Sequence, residues 1–390
     1  MPETDLHIRY APIMRFSRGE RFFPMAMDDF LAYTALYSKG SQRPAVPRGQ
    51  VTADDLQRRG ADELFLRSVE GGPLTGAEVA DQWGTTTLKL LWEATSKPLV
   101  AWTPTLAGLT YRWFSEKTSA ATQRFWWNDL VFAQLSRALG TDLGRDDLPR
   151  FVLPGDMRQA AITAYDESQA GRPRFTYYYR TVREGDYLNL QYWFFYAYND
   201  WGNGYGGFND HEGDWEGFHI FFKLDGGRPV EPPAFVCFLG HESRLTKPWD
   251  HPDVERDGTH PVIYVAAGSH ASYPQSKLYP LVTLYNLIDY ATGDARTLAH
   301  TDWVNRIALT DSSDLALLNY RGSWGTRYWL NLNWLQTSLR HVTAAGNVLA
   351  YVLPGEITLP GISAPRGPRF DTAGRERETW RNPLAFAGIA

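Results

Sequence analysis

Tyr187-Leu188-Asn189-Leu190-Gln191-Tyr192-Trp193-Phe194-Phe195-Tyr196-Ala197-Tyr198 is the stretch on which the fold turns. Aromatic residues crowd it, and aromatic residues fit pleated, packed surfaces. Just upstream, Arg174 to Val182 reads as a second strand of the same character, and Gly185-Asp186 between them is a turn signal. Together they predict a β-hairpin. Downstream, a glycine-rich loop from Trp201 to Asp210 leads to a third strand, Asp214–Leu224, and then to Phe235–Leu239 and Val262–Ala267. Strands joined by turns rather than crossover helices predict an α+β chain, mainly an antiparallel β-sandwich of jelly-roll type with helical insertions. The expected organisation is one domain over residues 1–390.

Working outward, Tyr10 to Phe16 reads as a short strand with an extended entry. Asp28 to Tyr37 has acidic residues at its start and apolar ones at helical spacing, which predicts a helix. A shorter helix is expected near Asp54–Arg59. Thr87–Ala94 and Ser119–Leu139 are further helix candidates within a helical insertion spanning 85–170. Residues 281–345 read as helix mixed with Trp-rich turns, and the tail from Gly346 as strand followed by coil.

Composition narrows the function classes. The chain has 390 residues with 39 basic against 44 acidic side chains, a net charge of -5, and no Lys/Arg-rich block. The electrostatic footprint of a nucleic-acid binder is missing. No run of about 18 apolar residues occurs, which argues against a membrane-spanning helix. The acidic start, Met1-Pro2-Glu3-Thr4-Asp5, lacks the apolar core of a secretory signal, so a cytoplasmic address is expected. The single cysteine, Cys237, lies in the apolar run Ala234-Phe235-Val236-Cys237-Phe238-Leu239 and reads as a small buried hydrophobe. The 15 Trp, 21 Tyr and 20 Phe fit a bulky β core or an aromatic binding surface.

Chemistry concentrates in His211-Glu212-Gly213-Asp214-Trp215-Glu216. Alternation along the third strand puts Asp214 and Glu216 on the face that carries Phe218, Ile220 and Phe222. The two carboxylates would stand roughly 7 Å apart at the backbone and repel one another. Either an Arg or Lys partner or a divalent cation must balance them. His211, expected in a turn just before the strand, adds an imidazole suited to Mg, Mn, Ca or Zn. A second candidate is Gly268-Ser269-His270-Ala271-Ser272-Tyr273-Pro274, after the apolar strand. It reads as a capping turn, or as a source of His270 as further ligand or general acid/base. His219 falls on the opposite face and reads as structural. Gly202-Asn203-Gly204-Tyr205-Gly206-Gly207 matches G-x-G-x-x-G literally but lacks the strand-then-helix context of a dinucleotide site.

The sequence resembles the family named after vacuolar protein sorting protein 62. The resemblance rests on Tyr10-Ala11-Pro12, Gly19-Glu20-Arg21-Phe22-Phe23-Pro24, Tyr192 to Tyr196, Gly213-Asp214-Trp215-Glu216 and the run His260 to Tyr273. It continues through Tyr320-Arg321-Gly322-Ser323-Trp324-Gly325, Pro365-Arg366-Gly367-Pro368 and Trp380-Arg381-Asn382-Pro383. That family's name implies no chemistry. More distantly, the chain is similar to the necrosis-inducing NLP toxins, secreted β-sandwich proteins that carry G-H-R-H-D-W-E and a later small-His-Gly-Tyr turn. The similarity implies a divalent metal on His211, Asp214 and Glu216, with Asp200 or Asn203 supplying the earlier ligand and His270 matching the later turn. It also implies recognition of a sugar or lipid headgroup at a rim formed by 199–216 and 268–274, including Asn203, Ser269, His270 and Tyr273. This chain departs at Glu212-Gly213, where the toxins have Arg-His, so ligand specificity does not transfer.

Three functions are therefore expected to compete. One is metal-dependent binding of a glycan or lipid headgroup. Another is hydrolysis by metal-bound water with Glu216 or His270 as base. The last is a structural metal in a protein-interaction domain. Arg183, Arg244 and Lys247 are candidate anion contacts, with ordinary surface charge as the alternative.

Overall fold

The computed structural model describes residues 5–59, 63–75, 78–79, 155–170, 173–201, 210–240, 243–282, 287–310, 316–333, 356–358, 363–371 and 373–389. The helices expected at 87–94 and 119–139 lie outside these residues. Of the expected insertion, the helix Gly155–Ser168 is described.

Among the described residues the sheets are mostly antiparallel and the helices few. Seven strands form the largest sheet, ordered Asn305–Ala308, Thr176–Glu184, Tyr187–Asn199, His211–Asp225, Phe235–Gly240, Ser243–Pro248, with Arg228–Pro229 folding back on the fourth. Only Asn305–Ala308 runs parallel to its neighbour in that sheet. A five-stranded sheet is built on His260–Val265, which pairs in parallel with Ile13–Phe16.

The aromatic hairpin strand is buried on both faces, which is why its sequence shows no polar alternation from Tyr192 to Tyr198. Leu188, Leu190, Tyr192, Phe194 and Tyr196 share one apolar cluster with Phe218, Ile220 and Phe222 and with Met14, Phe16, Ile263 and Val265 of the second sheet. The intervening Trp193, Phe195 and Ala197 join Trp215, Phe221, Cys237 and Leu239 in another, closed by Phe30, Trp324 and Trp380. Cys237 is buried as expected, and burial raises its thiol to about 11, which keeps it unreactive.

Three local expectations are corrected. The segment from Asp28 is helical only over Met27–Leu31; Ala35–Ser38 is a strand paired with Leu64–Arg67. A turn secured by Thr34 Oγ1 on Leu31 O ends the helix, and Tyr37 then stacks on Phe65. Tertiary pairing overrides a local period here. The third hairpin strand starts at His211, not Asp214, because Asn199 and Tyr198 pair with His211 and Glu212. Gly213 makes this possible: its φ is +60°, and a Cβ there would stand 2.3 Å from Trp324 O. Within 281–345, where helix mixed with turns was expected, Leu287–Ala291 is a strand antiparallel to Lys277–Val282, while Ala316–Asn319 is helical.

Candidate functional site

Two loops at one end of the sheets meet through their backbones. The Asp200 amide donates to Gly268 O at 3.1 Å. Gly268, at φ +74°, lies so close to Asp200 that a Cβ would stand 2.4 Å from its carbonyl. Gly268→Ala is therefore expected to cost about 3 kcal/mol or more, from strain plus overpacking. Equilibrium denaturation checks it, and a loss below about 1 kcal/mol would contradict this docking.

His270 follows, at φ +57°, a conformation uncommon for a side-chain-bearing residue. Its ring stacks on Tyr196 with centroids 3.8 Å apart and planes 4° from parallel. Nδ1 lies 2.8 Å from Asp214 Oδ2 and Nε2 lies 3.4 Å from Glu20 Oε1. Burial opposes its charge, but Glu20 and Asp214 outweigh that and raise its pKa to about 9. The imidazolium is thus the cation that balances Asp214. Glu20 also accepts from the amides of Arg21, Phe22 and Gly268. Burial works against its ionisation, yet His270 and these amides hold it below the ordinary range.

His211 is buried, with Nδ1 against the carbonyls of Glu212 and Gly213 and Nε2 3.2 Å from the Asn199 amide nitrogen. Burial lowers its pKa, which matches a neutral ring with Nδ1 protonated. Asp200 has both oxygens within 2.8 Å of Arg158 Nε, in a buried ion pair. Ser269 Oγ and Tyr273 OH both donate to Asp289, which is fully buried. Asn203 lies outside the described residues.

Glu216 is different. It lines a cavity of about 810 Å³ whose wall also includes Asn199, His211, Asp214, Trp193, Trp215 and Ser269. No hydrogen-bond or ion-pair partner meets its carboxyl among the described residues. Burial, reinforced by Asp214 and Asp289, raises its pKa well above the carboxylate range, and Arg377 acts in the other sense. Tyr273 and His270 are not in this wall.

The C-terminal segment also lines the cavity, with Pro365, Asp371, Arg375, Arg377, Glu378 and Arg381. That segment is fastened to the large sheet through its backbone. Arg244 and Thr246 donate to the carbonyls of Ala385, Phe386 and Ala387, Glu184 accepts from the Leu384 amide, and Arg180 lies over Trp380 at 3.9 Å. Arg244 is thus spent on the fold, as are Arg183 on Gly227 O and Lys247 on Asp253. In the wall itself, Arg375 pairs with Asp371 and Arg381 with Glu378. Arg377 donates Nε to Phe370 O, and its terminal nitrogens meet no acceptor among the described residues. Sequence reasoning missed Arg377, Glu20 and Asp289. The first two lie within or beside motifs of the family resemblance, but nothing local distinguishes them.

Asp200 is committed to Arg158 and Asp214 to His270. Among the described residues no group of three or more His, Cys, Asp or Glu is arranged to hold a metal ion. None of the described helices is long and apolar enough to cross a membrane.

Comparison with known proteins gives limited overlap. No family model matches the chain, so the likeness to the vacuolar sorting family remains one of motifs. A lipid A acyltransferase PagP of Legionella longbeachae is 38% identical over 76 residues, 19% of this chain and 29% of that protein. Among solved structures, Necrosis and Ethylene inducing Protein 2 from the causal agent of cocoa's witches' broom disease aligns at TM-score 0.25 and 14% identity, over 38% of this chain and 60% of its own. The non-toxic HaNLP3 protein aligns at TM-score 0.24 and 16% identity, with the same coverage. NLPPya in complex with glucosamine aligns at TM-score 0.20 and 15% identity, over 25% of this chain and 43% of its own. The solved structures named here are NLP proteins, each overlapping only part of this chain.

Proposed function

We propose that the chain is a binding protein of sandwich type whose cavity takes a small polar ligand, a glycan or a lipid headgroup. One observation carries this reading: Glu216 and Arg377 line the same cavity as two indoles, and among the described residues neither the Glu216 carboxyl nor the terminal nitrogens of Arg377 meet a partner. Concave sites with a few convergent polar groups among aromatic walls are the usual form of ligand pockets. The hydrolytic alternative has less support, because His270 is 0% exposed, has both nitrogens engaged and lies outside the cavity wall. The test is calorimetric titration with a panel of soluble glycans and headgroups, comparing wild type with Glu216→Gln. Binding by wild type, weakened about tenfold in the variant, is expected from losing one charge-assisted contact. Equal affinity in the two proteins would remove Glu216 from the site.

A divalent cation at the same carboxylates is the second reading. It is favoured by the negative charge that Asp214 and Asp289 place around Glu216. It requires Asp214 to turn away from His270. Elemental analysis of the purified protein beside Asp214→Ala/Glu216→Ala tests it. Near-stoichiometric metal lost in the double variant supports the cation; metal-free wild type that still binds its ligand rejects it.

A further inference from the structure

Five polar side chains stand in line across the large sheet, one on each of five neighbouring strands. Arg180 is opposite Gln191, Gln191 opposite His219, His219 opposite Cys237 and Cys237 opposite Thr246. Residues directly opposite on paired strands project from the same face. Around this row the face carries Trp193, Phe221 and Leu239. The C-terminal segment 378–389 lies on it, with Trp380, Leu384 and Ala387 in the same apolar cluster. The row holds this segment by its carbonyls. Arg180 donates to Trp380 O at 3.0 Å, Gln191 to Thr379 O at 3.1 Å and Thr246 to Ala387 O at 2.8 Å. Arg244, on the same strand as Thr246, adds bonds to Ala385 O and Phe386 O.

The middle of the row is different. His219 is fully buried, and both its nitrogens lack a partner among the described residues. Its neighbours do not serve it: Gln191 is engaged by Asn189, Trp193 and Thr379, and Cys237 by Thr246. Thr379 Oγ1, in the segment itself, is a second buried atom without a partner among the described residues. Polar groups buried in this way lose their hydration and gain nothing in return. Lifting the segment returns them to water, so their burial works against the docked state. Nor is the contact packed throughout, since Trp193, Gly217 and Leu239 of the sheet and Thr379 and Phe386 of the segment line the cavity. Side-chain donors and carbonyls at the rim exchange each other for water at small net cost. Once lifted, the segment has little structure of its own to keep. Its helices Glu378–Arg381 and Pro383–Ala387 have four and five residues, too few to persist alone. Docking is what orders the segment, so the order is gained or lost as a unit.

We propose that residues 378–389 are a strap that lifts from the sheet as a unit while the sheets stay folded, uncovering His219, Cys237 and the adjoining cavity. The lifting is a property of the chain without ligand; that it also admits ligand rests on the cavity reading.

Cys237 is the chain's single cysteine, 0% exposed and in the row itself, so its thiol reports the opening. The full chain, without ligand, is treated with a thiol-specific reagent over a range of urea below the unfolding transition. Amide exchange is followed by mass spectrometry under the same conditions. Labelling is expected to run at least about tenfold faster than global unfolding allows, with a weaker urea dependence because less surface is exposed. The hydrogen-bonded amides of Asn382, Phe386 and Gly388 should exchange through the same opening, while those of 192–198 exchange only on global unfolding. Arg244→Gln removes the donors to two carbonyls and should raise both labelling and strap exchange roughly tenfold. Arg183→Gln, whose partner Gly227 O lies outside the segment, should raise neither. The wild-type curves decide the matter even where a variant folds poorly. Labelling with the urea dependence of global unfolding would overturn the strap. So would labelling through a local opening while the segment's amides stay as protected as those of 192–198. Strap opening, together with no ligand found by calorimetry, would support the strap and count against the cavity reading alone.

Discussion

Glu212→Ala is expected to destabilise the protein by on the order of 4–5 kcal/mol, the larger of two effects argued in full. Glu212 is 1% exposed and accepts five hydrogen bonds. One oxygen takes the Ser68 amide, the Ser68 hydroxyl and the Val69 amide; the other takes the amide and hydroxyl of Thr326. Three of the donors are backbone groups that cannot turn elsewhere, and each orphaned buried donor costs about 1–3 kcal/mol. Glu212→Gln keeps one accepting oxygen but sets an amide against the Thr326 N–H, so a loss of roughly half that size is expected. Urea denaturation measures both. Variants of equal stability would show that this carboxylate does not tie the site strand to the segments around Ser68 and Thr326.

The second large effect concerns His270. His270→Ala leaves Asp214 and Glu20 buried without their cation, and about 3–5 kcal/mol is expected at pH 6 from breaking a buried pair on one side. The same network gives the wild type a pH signature. His270 is held at about 9, above its ordinary 6.5, so its contribution is complete below about pH 6.5 and is lost as pH rises to about 9. The full size is on the order of 3 kcal/mol. On the acid side the sign reverses. Burial keeps His211 and His219 neutral below pH 6.5, His219 down to about 3, so the unfolded chain takes up protons first and stability falls. Glu20, held below its ordinary range by His270 and backbone amides against the cost of burial, adds to that acid loss. Glu216, raised by burial and by Asp214 and Asp289, contributes stability that is lost as pH rises above its ordinary 4.5, and so opposes part of the acid-side gain. Stability should therefore peak at or below about pH 6.5. Unfolding free energies from pH 4 to pH 9.5 measure the curve, and His270→Gln should reduce its alkaline limb and remove Glu20's share of the acid limb, leaving the share of His211 and His219. An unchanged alkaline limb in that variant would show that His270 is not the charged group.

Much of the sheet was legible because its information is local. The run Tyr187 to Tyr198, the turn at Gly185-Asp186 and the alternation after Asp214 each state a strand and its faces within a dozen residues. The placement of Phe218, Ile220 and Phe222 in one cluster and Phe221 in the other follows that alternation. What escaped was long-range. Nothing near Asp200 announces Arg158, nothing near Asp214 announces Glu20, and Arg377 reaches the cavity from more than 150 positions away. The electrostatic argument for a cation beside Asp214 identified the need, but the side chain paired with Asp214 in the structure is His270 rather than an Arg or Lys. At Asp28–Tyr37 an apolar period was compatible with helix, and only pairing with Leu64–Arg67 decides the second half for strand.

The central claim, that ligand binds between the site strand and the C-terminal segment, is tested most directly by hydrogen–deuterium exchange with mass spectrometry. The protein is compared with and without the tightest ligand of the titration panel. Added protection is expected in peptides covering 211–217 and 365–386, with little change in the second sheet around 260–265 and 13–16. Protection confined to other regions, with 211–217 and 365–386 unchanged at saturating ligand, would contradict the account.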